Sequence, residues 1–246
     1  MTFRKALPGY LISIPLGLLA IWWAVTCIGR GDLMTAVVSF GLGVAFLSMT
    51  VPPTRSIAGR IEPRATSSGE GTTFRSDIVF EIATCVMISA AVVSCALIAV
   101  FGPLGKIDIP VLHSARYSIP FVAGAVALMG IPTIWLMIRR GGMKYLRLTP
   151  AGYEVAEGYK LERGAWSEVA DVTSMVPGSN RQLPNALVLV KSDGTAAVLA
   201  AGAITPGGRD LRELVRFYWQ HPAYRDELTD DRALERLQSK NFAADR

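Results

Sequence analysis

Apolar residues in this sequence fall into four long blocks, all within the N-terminal 140 residues. The blocks cover about residues 11–28, 33–51, 78–101 and 119–138. Each block is close to the roughly 20 residues that a helix needs to cross a hydrocarbon core of about 30 Å. A short turn joins the first two blocks, and a longer connection joins the last two. The pattern therefore predicts an α-helical membrane bundle of four transmembrane helices in two hairpins, over residues 1–142.

The pattern changes after Gly142, where short alternating segments replace the apolar blocks. Residues 144–149 and 153–156 are predicted strands, residues 165–176 contain a further strand, and residues 159–163 form a short run before it. The clearest hairpin joins residues 186–190 to 196–200 through Asp193-Gly194, a preferred turn pair. Apolar residues then recur at helical spacing over 209–219, which predicts an amphipathic helix covering one side of an antiparallel sheet. We expect a small α+β domain over residues 143–220.

Two further polar segments flank these elements. The connection over residues 52–74 is rich in Pro, Gly, Ser and Thr and has neither helical nor strand periodicity, so it predicts a flexible loop. The C-terminal segment, residues 221–246, is a polar tail. Within it, residues 229–237 predict a last, exposed helix with Thr229 or Asp230 as its N-cap.

Composition and charge agree with a membrane protein. Of the 246 residues, 51% are hydrophobic and 18% are charged, and the mean hydropathy is +0.35. The net charge of +5 belongs to the apolar half, since residues 1–142 hold 11 basic and 6 acidic residues while residues 143–246 hold 14 of each. A nucleic-acid partner is not expected, because its binder would concentrate basic residues on the polar domain.

Basic residues near the ends of the spans predict the orientation of the chain. Ten lie on one side, namely Arg4, Lys5, Arg55, Arg60, Arg64, Arg75, Arg139, Arg140, Lys144 and Arg147. Three lie on the other side, namely Arg30, Lys106 and Arg116. Because cytoplasmic loops carry the excess of Lys and Arg, both termini are predicted to be cytoplasmic.

Candidate functional residues in the spans are few. Glu81 is the one ionisable residue clearly inside a block, which makes it a candidate for a coupling or transport role. It lies about one turn after Asp77, so the alternative is a dipole partner of the helix N-terminus or an ion pair with Arg75. Small residues at four-residue spacing predict either helix packing or a partner-binding face. They are Thr35, Ser39 and Gly43 on the second block, Ala91, Cys95 and Ala99 on the third, and Ala123 and Ala127 on the fourth.

The sequence has no recognisable catalytic or metal-binding pattern. His113 and His221, its two histidines, are predicted on opposite sides of the membrane, and the three cysteines lie inside apolar blocks. The sequence contains no phosphate-binding or dinucleotide-binding glycine motif and no zinc spacing. We therefore expect no enzyme, no cofactor and no metal. The basic residues that follow the fourth span, Arg139, Arg140, Lys144 and Arg147, are candidate lipid-headgroup contacts, or simply positive-inside residues.

Residues 143–220 resemble the bacterial pleckstrin-homology-like domain. The resemblance is carried by the segments LRLTPAGYEV and AWSEVADV, and by the hairpin ALVLVKSDGTAAVLA before the helix. It implies an antiparallel sheet or partial barrel with a C-terminal helix, although about six strands are visible where the fold usually has seven.

The whole chain resembles actinobacterial four-span membrane proteins with such a tail. This implies an accessory or scaffold subunit of a larger inner-membrane complex, with an Mce-type lipid importer as the suggested partner. The alternative function is a lipid-responsive membrane sensor that binds anionic headgroups. A third hypothesis is a small-solute transporter that depends on Glu81.

Overall fold

The structure of the protein is a computed structural model that describes residues 3–107, 118–178 and 182–242. For residues 3–5 it describes the backbone but not the side chains. The chain divides into two compact units. The first, here called the helical unit, comprises Thr2–Thr54 and Val79–Gly141. The second, here called the sheet domain, comprises Arg55–Ile78 and Gly142–Arg246.

The helical unit contains four long helices that match the four apolar blocks. They are α1 (Phe3–Gly29), α2 (Leu33–Ser48), α4 (Ile78–Phe101) and α5 (Ser118–Arg140), and the short helix α3 (Val51–Ile57) follows α2. Four helices, with α2 and α3 counted as one, are long and apolar enough to cross a membrane. The prediction of four apolar helices is confirmed.

Two local features position the helices of this unit, namely a cap at the start of α2 and small residues where helix backbones meet. At the turn into α2, Asp32 accepts a hydrogen bond of 3.1 Å from the backbone N–H of Thr35 and so caps the helix. Gly43 of α2 lies against α1, where an added Cβ would strike Ile21. Between α4 and α5, Val92 packs onto Gly130 in the same way. This is the packing expected where lipid supplies no hydrophobic drive for helix association.

The connection between the second and third spans is folded, so the prediction of a flexible loop over residues 52–74 is wrong. Helix α3 begins it, and two strands follow, β1 (Arg64–Ser68) and β2 (Gly71–Arg75). The strands pair antiparallel around the two-residue turn Gly69-Glu70. Phe74 of β2 is completely buried, so this hairpin contributes to a core.

The hairpin joins a sheet whose other strands lie far along the sequence. Strand β2 pairs antiparallel with β3 (Lys144–Leu148), which is followed by β4 (Gly152–Glu157) and β5 (Lys160–Ala165), giving the order β1-β2-β3-β4-β5. A second, three-stranded antiparallel sheet contains β6 (Val169–Thr173), β7 (Leu187–Lys191) and β8 (Ala196–Leu199). The hairpin predicted around Asp193-Gly194 is confirmed. Trp166 lies in a 3-10 turn, Trp166–Glu168, where the start of a strand was predicted.

One apolar core joins the two sheets to the C-terminal helices. Helix α6 (Arg209–Gln220), predicted from its apolar spacing, is confirmed, and it buries Leu211 and Leu214. Helix α7 (Arg232–Ser239) follows a 3-10 segment, Pro222–Thr229. The predicted exposure of this last helix is wrong, because Leu237 joins the same core as Phe74. The sheet domain therefore extends beyond the predicted range 143–220 at both ends.

Candidate functional site

The five-stranded sheet has one face in the core and one face outside it. Side chains alternate between faces along a strand, and paired residues share a face. Phe74 pairs with Leu146, and Leu146 pairs with Val155, which together define the buried face.

The opposite face collects arginines from four strands. Arg64 pairs with Arg75, and Arg75 pairs with Tyr145 in the first row. In the next row, Arg147 pairs with Glu154, which pairs with Arg163. We call this surface the arginine face; its members are Arg64, Arg75, Arg147 and Arg163.

Two arginines of this surface form ion pairs with acidic side chains. Arg163 contacts Glu154 at 2.7 Å, and Arg147 contacts Glu70 at 2.8 Å, where the Glu70 side chain is 84% exposed. The hydroxyl of Tyr145 donates a hydrogen bond to Glu154. Burial disfavours the charged form of Glu154, but the hydrogen bonds from Tyr145 and Arg163 outweigh it and hold the pKa of Glu154 below its ordinary value. Glu154 is therefore ionised, and on the strands it pairs with Arg147 on one side and Arg163 on the other.

The structure divides the four predicted headgroup contacts among different places. Arg147 lies on the arginine face, but Lys144 has the opposite strand parity and pairs with Glu157 at 2.8 Å. The other oxygen of Glu157 accepts a hydrogen bond of 2.8 Å from the backbone N–H of Ala200. Arg139 and Arg140 belong to the last turn of α5, where the guanidinium of Arg139 lies 4.9 Å from the ring of Trp135.

Sequence reasoning missed a role for Arg64 and Arg75 because it treated their segment as a flexible loop. A signal was present, since runs rich in Ser and Thr flank the turn Gly69-Glu70. Polar side chains on both faces of β1 concealed it, and only Phe74 marks the side that is buried.

A buried charged cluster ties α6 to α7. Two nitrogens of Arg236 donate hydrogen bonds of 2.8 Å to the two carboxylate oxygens of Glu227, and the hydroxyl of Tyr218 donates another of 3.0 Å. The hydrogen bonds from Arg236 lower the pKa of Glu227, while burial raises the pKa of Tyr218. The guanidinium also lies 4.3 Å from the ring of Phe217. These groups are used for internal contacts, which indicates a structural role.

A second buried charge lies just before α4. The Asp77 side chain is 3% exposed and contacts Arg55 at 3.0 Å. It also accepts a hydrogen bond of 3.3 Å from the backbone N–H of Glu62, and its own N–H donates to the carbonyl of Ala203 at 3.1 Å. Asp77 thus holds together segments of the sheet domain that are distant in sequence.

Tyr153 has the one tyrosine hydroxyl within the described ranges that is buried without a hydrogen-bond partner. Burial, together with the charges of Glu168, Glu162 and Asp193, raises the pKa of Tyr153 to about 12. The phenol therefore stays neutral at ordinary pH.

The predicted residues of the helical unit occupy two kinds of position. Thr35, Ser39, Gly43, Ala123 and Ala127 are buried, whereas Ala91, Cys95 and Ala99 are half-buried. The buried set agrees with helix packing, and a partner-binding face stays a prediction. Glu81 is half-buried in the first turn of α4, and its coupling or transport role also stays a prediction.

Some predicted features lie outside the described residues. These are His113, Arg116 and the side chains of Arg4 and Lys5. Across residues 3–107, 118–178 and 182–242, no group of three or more His, Cys, Asp or Glu residues is arranged to hold a metal ion. No family model, no curated protein and no solved structure matches this chain.

Proposed function

We propose that the protein is a non-enzymatic accessory or scaffold subunit of a larger complex in a bacterial inner membrane. In this proposal the four long helices span the bilayer, and the sheet domain and both termini lie in the cytoplasm. The excess of ten basic residues over three near the ends of the spans supports that orientation.

We further propose that the sheet domain is of the pleckstrin-homology-like type. Strands β2 to β5, strands β6 to β8 and helix α6 form an arrangement of four strands, three strands and a helix. The strand that residues 143–220 lack is supplied by β2 from the segment between the spans, and β1 is an addition at the edge. This count supports the proposal.

The observation that carries the scaffold proposal is the slight burial of α4 and α5. Only 17% of the apolar stretch of each is buried, against 22% for the first span and 28% for the second. Phe121 of α5 is 81% exposed and Leu128 is 71% exposed. Ala91 and Ala99 of α4 are half-buried, and small side chains such as these leave room for a close helix contact. A partner helix against α4 and α5 is the contact that we propose.

The proposed partner is a lipid import complex of the Mce type. Its support is the resemblance of this chain, which combines four spans with a domain of this kind, to membrane proteins with such tails. The buried charged groups of the sheet domain add support for a scaffold, because Arg236, Glu227 and Asp77 are engaged in internal contacts.

Copurification from the native membrane tests this proposal. The tagged full chain, expressed near its native level and extracted in a mild detergent, should elute with membrane-complex subunits in fixed stoichiometry. The variant Ala91→Phe should lower the recovered partner by about tenfold, which corresponds to about 1.4 kcal/mol of overpacking at the contact.

The matched control is Val93→Phe on the same helix, where the native side chain is 55% exposed. This variant should leave partner recovery unchanged. Recovery of a lone monomer at native expression refutes the proposal. An equal loss with both variants refutes the assigned contact.

A further inference from the structure

We propose that the arginine face docks on the anionic headgroups of the leaflet at which the spans enter the sheet domain. The inference rests on the proposed cytoplasmic orientation, because it requires an anionic leaflet on that side. It adds a second membrane contact, made by a folded surface and separate from the spans.

Charge complementarity is the first support. The register brings Arg64, Arg75, Arg147 and Arg163 to one face, against Glu154 and the exposed Glu70 at the hairpin turn. All four basic residues are arginines, whose planar guanidinium can bind two phosphate oxygens at once. An anionic leaflet attracts each basic residue near it, by about fivefold in binding equilibrium for each.

The ion pair of Arg147 at the hairpin turn can be exchanged for a lipid phosphate. The contact between Arg147 and Glu70 is an exposed ion pair, and such pairs are weak. Arg64 and Arg163 belong to the exposed residues of their strands. A phosphate oxygen can replace the carboxylate of Glu70 without leaving a buried charge unpaired.

The dimensions of the face suit more than one headgroup. Neighbouring strands lie about 4.8 Å apart, so β1 and β5 are separated by roughly 19 Å. Tyr145 and Leu161 lie on the same face, in the row that contains Arg75. An aromatic and an apolar side chain among arginines resemble the composition of membrane-interface segments.

The covalent chain is the second support, and it favours the bilayer over a free acidic protein. Arg75 precedes the first residue of α4, Ile78, by three residues, and Tyr145 follows the last residue of α5, Arg140, by five. Extended chains of these lengths reach about 10 Å and about 17 Å. The covalent tether limits how far these two residues can lie from the span ends, so docking needs no bimolecular encounter and has a high effective concentration.

Arginine footprinting of the full chain tests the docking. The protein is placed in nanodiscs of phosphatidylcholine alone or with about 30% phosphatidylglycerol, and is treated briefly with phenylglyoxal before peptide mass spectrometry. Labelling of Arg64 and Arg163 should be at least about fivefold slower in the anionic discs. The protection should disappear at about 0.5 M salt, where screening limits the attraction between charges to a few ångströms.

Arg209 and Arg232 are the internal controls, since both are exposed residues of the sheet domain that begin helices α6 and α7 and do not belong to the five-stranded sheet. Their labelling should be equal in both kinds of disc. The double variant Arg64→Gln/Arg163→Gln should abolish the protection of Arg147, while Arg209→Gln/Arg232→Gln should preserve it.

Three results overturn the inference: equal labelling of the face in both discs, equal protection of the face and the controls, or protection that ignores lipid charge and salt. The last result indicates a protein contact at this surface. Failure of the proposed scaffold function is a separate outcome, because it is judged by copurified subunits and leaves the footprint unaffected.

Discussion

Replacing Phe74 by alanine tests whether the segment between the second and third spans is a strand of the sheet domain. Phe74 is 0% exposed and lies in the core that contains Leu146 and Leu237. Truncating a fully buried phenylalanine destabilises a domain by about 3–5 kcal/mol, through lost apolar burial and the cavity left behind. In a flexible loop, the same change would alter the free energy of unfolding by no more than about 0.5 kcal/mol.

Hydrogen exchange of the full chain in detergent measures this effect. The reporters are the backbone amides of β7, a strand of the other sheet in which Leu187 and Leu189 are 0% exposed. These amides exchange through opening of the whole domain. The expected destabilisation should speed their exchange by about two to four orders of magnitude.

Tyr159→Ala is the matched control, because this aromatic side chain of the same domain is 59% exposed. Its exchange should stay within about fivefold of the unmodified protein. If Phe74→Ala also stays within that limit, the segment does not belong to the core, and the argument that joins β2 to β3 fails.

Three further predictions concern the same domain. Tyr153→Phe should leave the free energy of unfolding unchanged or raise it by about 1 kcal/mol, because the lost hydroxyl is buried without a partner. Tyr218→Phe should lower it by about 1.5–3 kcal/mol, because it removes a hydrogen bond to a carboxylate. Urea unfolding compares the two variants. Glu227→Gln should lower the free energy of unfolding by about 3 kcal/mol at neutral pH. Because the pKa of Glu227 is lowered in the folded protein, its contribution to stability is complete above the ordinary glutamate pKa of about 4.3 and is lost as pH falls through the folded pKa. The free energies of unfolding of the unmodified protein and Glu227→Gln should therefore converge in acid. A difference that does not change with pH would contradict the assignment. Deleting residues 221–246 should abolish protection of β7, since Leu237 leaves the core, and retained protection would show the tail to be dispensable.

Local pattern was sufficient for the features that depend on neighbours in sequence. The four spans follow from the length and polarity of continuous blocks, and α4 begins and ends at the predicted residues, Ile78 and Phe101. The hairpin at Asp193-Gly194 and helix α6 follow from turn chemistry and helical spacing. These elements carry their own signal, because the residues that form them are close together in the chain.

Only the tertiary structure decided which polar residues share a surface. Lys144 and Arg147 are three residues apart and were predicted to act together, yet the alternation of side chains along β3 places them on opposite faces of the sheet. Arg75 and Tyr145 are 70 residues apart in the chain and are cross-strand neighbours, because both spans α4 and α5 lie between their strands. The Ser- and Thr-rich segment between the spans has too few apolar residues to predict burial by itself. Its single phenylalanine becomes a core residue only when strands from the distant half of the chain cover it, and the arginine face exists only because that pairing turns its arginines outward.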